Sequence, residues 1–229
     1  MGGLTAQEWM AVELSLRVAV VATLFSLPFG IGVAYLLARF RFPGRDILNG
    51  LVHLPLILPP VVTGYLLLVT FGRRGVVGAW LEQFGIVFAF DWTGAALAAG
   101  ITAFPLMVRA IRLSIEAVDP GLEAAAATLG ASPLRVFATI TLPLSLPGII
   151  AGAVLAFAKA MGEFGATITF VSNIPGQTQT LPSAIYALLQ VPGAEPQAMR
   201  LIVISITVAM GALLLSEVLA RRMQRRIAS

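Results

Sequence analysis

The sequence predicts an all-α, polytopic membrane protein of about five transmembrane helices, and three observations carry the prediction. Of its 229 residues, 58% are hydrophobic and only 11% charged, against about 25% charged in a soluble domain. Mean hydropathy is +0.92. A chain this apolar cannot cover itself with polar surface. Second, five segments reach the roughly 20 mainly apolar residues that a bilayer-spanning helix needs. Third, the arginines gather at the ends of those segments and form no basic stripe.

The five segments are residues 10–38, 47–71, 92–115, 144–171 and 199–220, within one transmembrane domain covering 1–229. Basic residues in the connections set the orientation. With the N-terminus outside, Arg39, Arg41, Arg45, Arg109, Arg112, Arg135, Arg221, Arg222, Arg225 and Arg226 face inward, and only Arg73, Arg74 and Arg200 face outward. The expectation is therefore N-terminus outside and C-terminus cytoplasmic. Acidic Glu8 and Glu13 precede the first apolar segment, where a secretory signal has a basic stretch. That segment is expected to be a permanent helix.

Prolines interrupt the spans at Pro28, Pro55, Pro59, Pro60, Pro105 and Pro147. Each removes a backbone donor and kinks a helix. They are either ordinary membrane-helix prolines or signs that the helices bend around a pathway. The outer connection after residue 171 is expected to hold a short helix over 182–189.

Several function classes are excluded. There is no cysteine, so no disulfide or thiolate metal site. One histidine cannot by itself build a zinc site. The single lysine lies in no GxxxxGK[ST] phosphate loop, so ATP binding by that motif is absent. No nucleic-acid-binding motif is present. Neither a metal nor a cofactor is expected in this chain.

Asp119 to Pro143, "DPGLEAAAATLGASPLRVFATITLP", stands apart from the spans. Asp119 is a good N-cap and Pro120 suits the first helical position. Glu123 favours the positive end of the helix dipole. The alanines are strong helix formers, and Gly130 can adopt the left-handed conformation that ends a helix. Ser132 and Pro133 then start a second helix running to Leu142–Pro143. A helix over 120–130 covers only about 15 Å, half a bilayer. By the charge argument it lies on the inner side, either flat under its own bundle or against another chain.

This stretch resembles the signature of permease subunits of type I ABC importers: Glu-Ala-Ala, then Gly, nine residues, and Ile-x-Leu-Pro. Gly130, followed after nine residues by Ile140, Thr141, Leu142 and Pro143, fits it. Glu123 stands seven before Gly130, where the common pattern has six. Either Ala124, Ala125 and Ala126 fill the three places, or Glu123 is the motif acid with one residue inserted. The resemblance implies a cytoplasmic coupling helix over about 120–130, docked on a separate ATPase subunit, with Ser132 and Arg135 in the same unit. It further implies a homodimer with two such ATPase subunits, an extracytoplasmic binding protein, and a plasma-membrane location in contact with lipid. "FAKAMGEFGATITFVSNIPGQTQTLPSAIY", residues 157–186, is similar to molybdate permeases, and its GEFGA core also to sulfate permeases. The implied activity is inward transport of molybdate or tungstate by alternating access. A sulfate permease and an ion-coupled carrier are the rivals.

Lys159 and Glu163 fall four apart on one helical face. Intramembrane charges usually face the bundle interior or a water-filled cavity. They form either a structural ion pair or a polar point on the pathway. Gly162 and Gly165 permit close helix approach, at a dimer contact or within the subunit. Glu13 with Arg17, Arg112 with Glu116, and Glu217 with Arg221 are expected as interfacial pairs. His53 is expected to be a satisfied packing residue.

Overall fold

A computed structural model describes residues 4–227, and every regular element among them is helical. Helix α1, Ala6–Arg39, starts at a reciprocal cap: Glu8 N donates to Thr5 Oγ1 at 3.2 Å, and Thr5 N donates to Glu8 Oε2 at 2.7 Å. Two orphan donors of the first turn are thereby satisfied.

The expected span 47–71 is not one straight helix. It is α2, Arg45–Ile57, and α3, Pro60–Phe71, bent by 113°. Leu58 (ψ 143) and Pro59 (ψ 133) are extended. The cause is the Pro59–Pro60 pair: neither residue has an N–H, and each disfavours a helical conformation in the residue before it. Two glycine turns then lead into a short α4, Val76–Glu82.

Helix α5, Trp92–Glu116, is the axis of the fold. Asp91 caps it by accepting from Thr93 N at 2.9 Å. Its N-terminal half is lined by glycine and alanine, with Ala95, Ala98 and Ala99 fully buried. Small residues of this kind let neighbouring helices approach closely. Around that half, Val18, Ala19, Phe170, Leu181 and Leu201 form one cluster. Leu37, Met107, Val108, Ile111, Ile115 and Ile149 form a second around the C-terminal half.

Next come α6, Pro120–Thr128, and α7, Pro133–Val136. The helix after Ser132 does not stop at Pro143. It passes through a wide π turn, Phe137–Thr141, directly into α8, Leu142–Met161. Pro143 has no N–H to offer the preceding turn, and Leu142 N instead reaches back to the Phe137 carbonyl.

The expected span 144–171 also breaks. Helix α8 ends at Met161, and α9, Gly165–Val171, starts after Phe164 (φ −131). Helix α10, Leu181–Leu189, realises the short helix expected over 182–189. Helix α11, Glu195–Ile227, follows. Among the described residues four helices are long and apolar enough to cross a membrane, or five if the bent α2–α3 pair is one span. Leu24, Phe25, Ile57, Tyr65 and Leu214 leave broad apolar faces exposed on α1, α2, α3 and α11, as lipid contact requires.

Candidate functional site: the exposed knob and the two span breaks

The unit from Asp119 to Thr141 projects from the bundle. No residue of α6 is buried. Asp119 Oδ1 accepts from Gly121 N at 2.8 Å, giving the expected cap. At the other end Gly130 takes φ +85. Ala131 N donates to the Ala126 carbonyl at 3.1 Å, and Gly130 N to that of Ala127 at 3.0 Å. These bonds satisfy carbonyls the helix end would leave open. Ser132 Oγ accepts from Arg135 N at 3.4 Å and starts α7.

Leu129 is 88% exposed and Leu134 77%, with Leu122 and Arg135 also open to solvent. Ala124, Ala125 and Pro143 are exposed, while Ala126, Ile140 and Leu142 are half-buried. The outward surface is thus apolar with one cation. Glu123 turns the other way. Its Oε1 accepts from Arg39 Nε at 3.2 Å, Arg39 Nη2 at 3.1 Å and Thr141 Oγ1 at 2.6 Å. Arg39 Nη2 also donates to the Val118 carbonyl at 2.9 Å. The sequence reading missed Arg39, the last residue of α1, and counted it only as an inner-side charge. No signal in the sequence links it to a carboxylate 84 residues on.

At the second break Lys159 Nζ lies 2.7 Å from Glu163 Oε2. Glu163 Oε1 accepts from Ala166 N at 3.0 Å. One carboxylate therefore caps the first turn of α9 and pairs with the last turn of α8. The Glu163 side chain is 1% exposed and that of Lys159 32%. Gly165 packs within the subunit: a Cβ there would lie 2.7 Å from Pro60 Cβ. Gly162 is exposed and has no packing partner that a methyl would meet closely.

Arg112 Nε pairs with Glu116 at 2.8 Å as expected, and its Nη1 also reaches Asn49. Arg17 does not pair with Glu13; its guanidinium stacks 3.8 Å over the Trp92 ring. The indole face offers a partner compatible with an apolar surrounding. Glu8 pairs with Arg200 at 2.8 Å across the N-terminal ends of α1 and α11. The Glu217–Arg221 pair falls outside the described side chains. His53 Nδ1 sits 2.8 Å from the Asn49 carbonyl, a satisfied packing role. Among the described residues no group of three His, Cys, Asp or Glu could hold a metal. An apolar groove of about 630 Å³ runs between α1, α2 and α5, lined by residues such as Phe25, Phe29, Val52 and Phe104.

Residues 26–228 match the family described as the inner membrane component of binding-protein-dependent transport systems. The chain belongs to this family. As such a component it is a multi-pass protein of the inner membrane. It is a permease subunit and not an enzyme. It is 64% identical to the molybdenum transport system permease protein ModB of Escherichia coli over 224 residues, covering 97% of this chain and 98% of that one. The sulfate transport system permease protein CysT of Salmonella typhimurium is 39% identical over 180 residues, covering 79% and 65%. In structure, the permease is similar to an inward-facing MetNI methionine ABC transporter, with a TM-score of 0.74 at 17% identity over 93% of this chain and 94% of that one. At that identity the likeness speaks for the fold, which is that of an ABC importer permease.

Proposed function

We propose that this permease is the membrane-spanning subunit of an ATP-driven importer carrying molybdate, or the isosteric tungstate, inward by alternating access. The observation that supports the substrate is 64% identity to a molybdenum permease along nearly the full length of both chains. The likeness to a sulfate permease is lower and covers only 65% of that chain. The permease acts as a homodimer, because half-transporters pair symmetrically, and its route runs between the copies. The N-terminus lies outside and the C-terminus in the cytoplasm. A molybdate-binding protein delivers the oxyanion at the outer face.

Two ATPase subunits dock beneath, each on an α6–α7 unit. Leu129, Leu134 and Arg135 supply the outward surface, with Ala124 and Ala125 beside them. Ala126, Gly130, Ser132, Ile140, Leu142 and Pro143 shape the unit. Nucleotide and binding protein each favour one state through differential contacts, and the α6–α7 units move with the ATPase. Lys159, partly open beside the α8–α9 break, flanks the oxyanion's route. Glu163 fixes Lys159 in place, and Gly162 and Gly165 let the break form.

The test is uptake by vesicles holding this permease with its ATPase subunit, supplied with the binding protein. Molybdate uptake requires ATP and both partners, and excess tungstate competes while sulfate does not. Uptake without any ATPase chain would overturn the importer reading, and competition by sulfate at equal concentration would move the substrate to the sulfate class.

A further inference from the structure

We infer that Arg39 is the positioning residue that makes the inner end of α1 move with the α6–α7 unit. The inference rests on the docking reading of that unit and adds a residue no part of the signature contains. Helix α6 buries no side chain, so few bonds fix how it moves relative to the spans. Its continuation into α5 at Val118 is covalent. Its only side-chain ion pair among the described residues is the one at Glu123. There, donors from Arg39, at the end of α1, and Thr141, at the head of α8, converge on a single carboxylate oxygen. Arg39 also holds the Val118 carbonyl, just past the end of α5.

Three spans therefore meet at one charged cluster directly above the docking surface. Thr141 is fully buried, and both charged side chains are mostly shielded. Charge-assisted hydrogen bonds are roughly twice as strong as neutral ones, and shielding strengthens them further. Without Arg39, α6 keeps a covalent link to α5 and a hydroxyl link to α8, but no polar hold on α1. A lysine replaces it only in part: its point-like ammonium lacks the planar fork by which Nε and Nη2 together grip Glu123 Oε1. The neighbouring basic residues do other things: Arg45 donates to the Leu37 carbonyl, and Arg41 is exposed.

The experiment uses the complete complex in vesicles, with two readouts. The first is photo-crosslinking to the ATPase from a probe on Leu129→Cys, a unique thiol because the chain has no cysteine. The second is ATP hydrolysed per molybdate imported. With Arg39→Gln the crosslink forms as in the parent, while ATP per molybdate rises about tenfold, within the usual 5- to 150-fold reach of a coupling energy. Arg39→Lys and Thr141→Val give smaller rises. Unchanged stoichiometry in Arg39→Gln with the crosslink intact overturns the inference. If Arg39→Gln fails to assemble, the two milder variants decide: a rise of severalfold in either supports it, and parental stoichiometry in both overturns it. Loss of the crosslink in the parent itself would refute the docking reading instead, a result distinct from either.

Discussion

Gly165 meets Pro60 at the point where two spans are broken, so closely that a Cβ on the glycine would lie 2.7 Å from the proline Cβ. Each residue opens a half-helix, α9 and α3 respectively. Gly64 repeats the approach one turn further along α3, where a Cβ would fall 2.5 Å from the Ala166 carbonyl oxygen. The breaks are thus mutual: each half-helix fits because the other has no side chain there. Gly64→Ala is expected to lower stability by about 1–3 kcal/mol, the usual cost of overpacking, because the clash is with backbone that cannot swing away. Gly162→Ala should leave stability unchanged, since its nearest neighbours are ordinary contacts at 3.8 Å. Thermal unfolding of the purified permease in detergent measures both, and an unshifted Tm for Gly64→Ala would contradict the packing argument.

The Lys159–Glu163 pair is asymmetric, and its variants should be too. Lys159→Met strands a carboxylate that is 1% exposed, with only the Ala166 amide left to it. Breaking a buried pair in this way costs about 3 kcal/mol or more. Glu163→Gln retains an acceptor for Ala166 N, and the remaining ammonium is open enough to find water. It should be markedly milder. The double variant Lys159→Met/Glu163→Gln should recover much of the stability lost by Lys159→Met. Molybdate uptake by that stable double variant then isolates the transport role: a raised KM is expected, and parental uptake would remove Lys159 from the route.

How much of this was legible in the sequence follows the range of the interactions. Caps are local, so Asp119, Gly130 and Ser132 were readable from neighbouring residues, and each does what its type suggests. Span positions were readable because apolar length is a one-dimensional property. The breaks were only half readable. Pro59–Pro60 announced a bend without its 113°, because the angle is set by α9 packing on α3. The break at 162–164 had no proline to mark it. Gly162 and Gly165 were singled out, yet which one packs depends on Pro60, about a hundred residues earlier. The Arg39–Glu123 link spans 84 positions and leaves no local trace. Arg17 went astray for the same reason: i,i+4 spacing proposed Glu13, while the Trp92 face lay nearer in space.

Gly130 offers a test that separates backbone strain from packing. Its φ is +85, and nothing lies within 4 Å of where a Cβ would be. A substitution therefore costs only the left-handed conformation, about 1–2 kcal/mol for an ordinary residue and less for asparagine. Uptake by Gly130→Val should fall severalfold, with Gly130→Asn between it and the parent, because the turn sets the angle of α7 on α6. The spans keep all their contacts, so any drop in stability should not exceed that local strain. Equal uptake by all three would mean the turn's angle is irrelevant to coupling.

Topology can be read from single thiols on the cysteine-free chain. Val76, at the start of α4, is 90% exposed, and Leu129 is nearly as open on the opposite side of the spans by the charge argument. With right-side-out vesicles, a membrane-impermeant maleimide should label Val76→Cys at once and Leu129→Cys only after the membrane is opened. The arginine distribution predicts this sense, ten on the Leu129 side against three on the Val76 side, because basic loops are retained in the cytoplasm. Adding the ATPase subunit should then protect Leu129→Cys from the reagent and leave Val76→Cys unaffected. Labelling in the reverse order would place the α6–α7 unit outside the cell, where no nucleotide-driven partner could reach it.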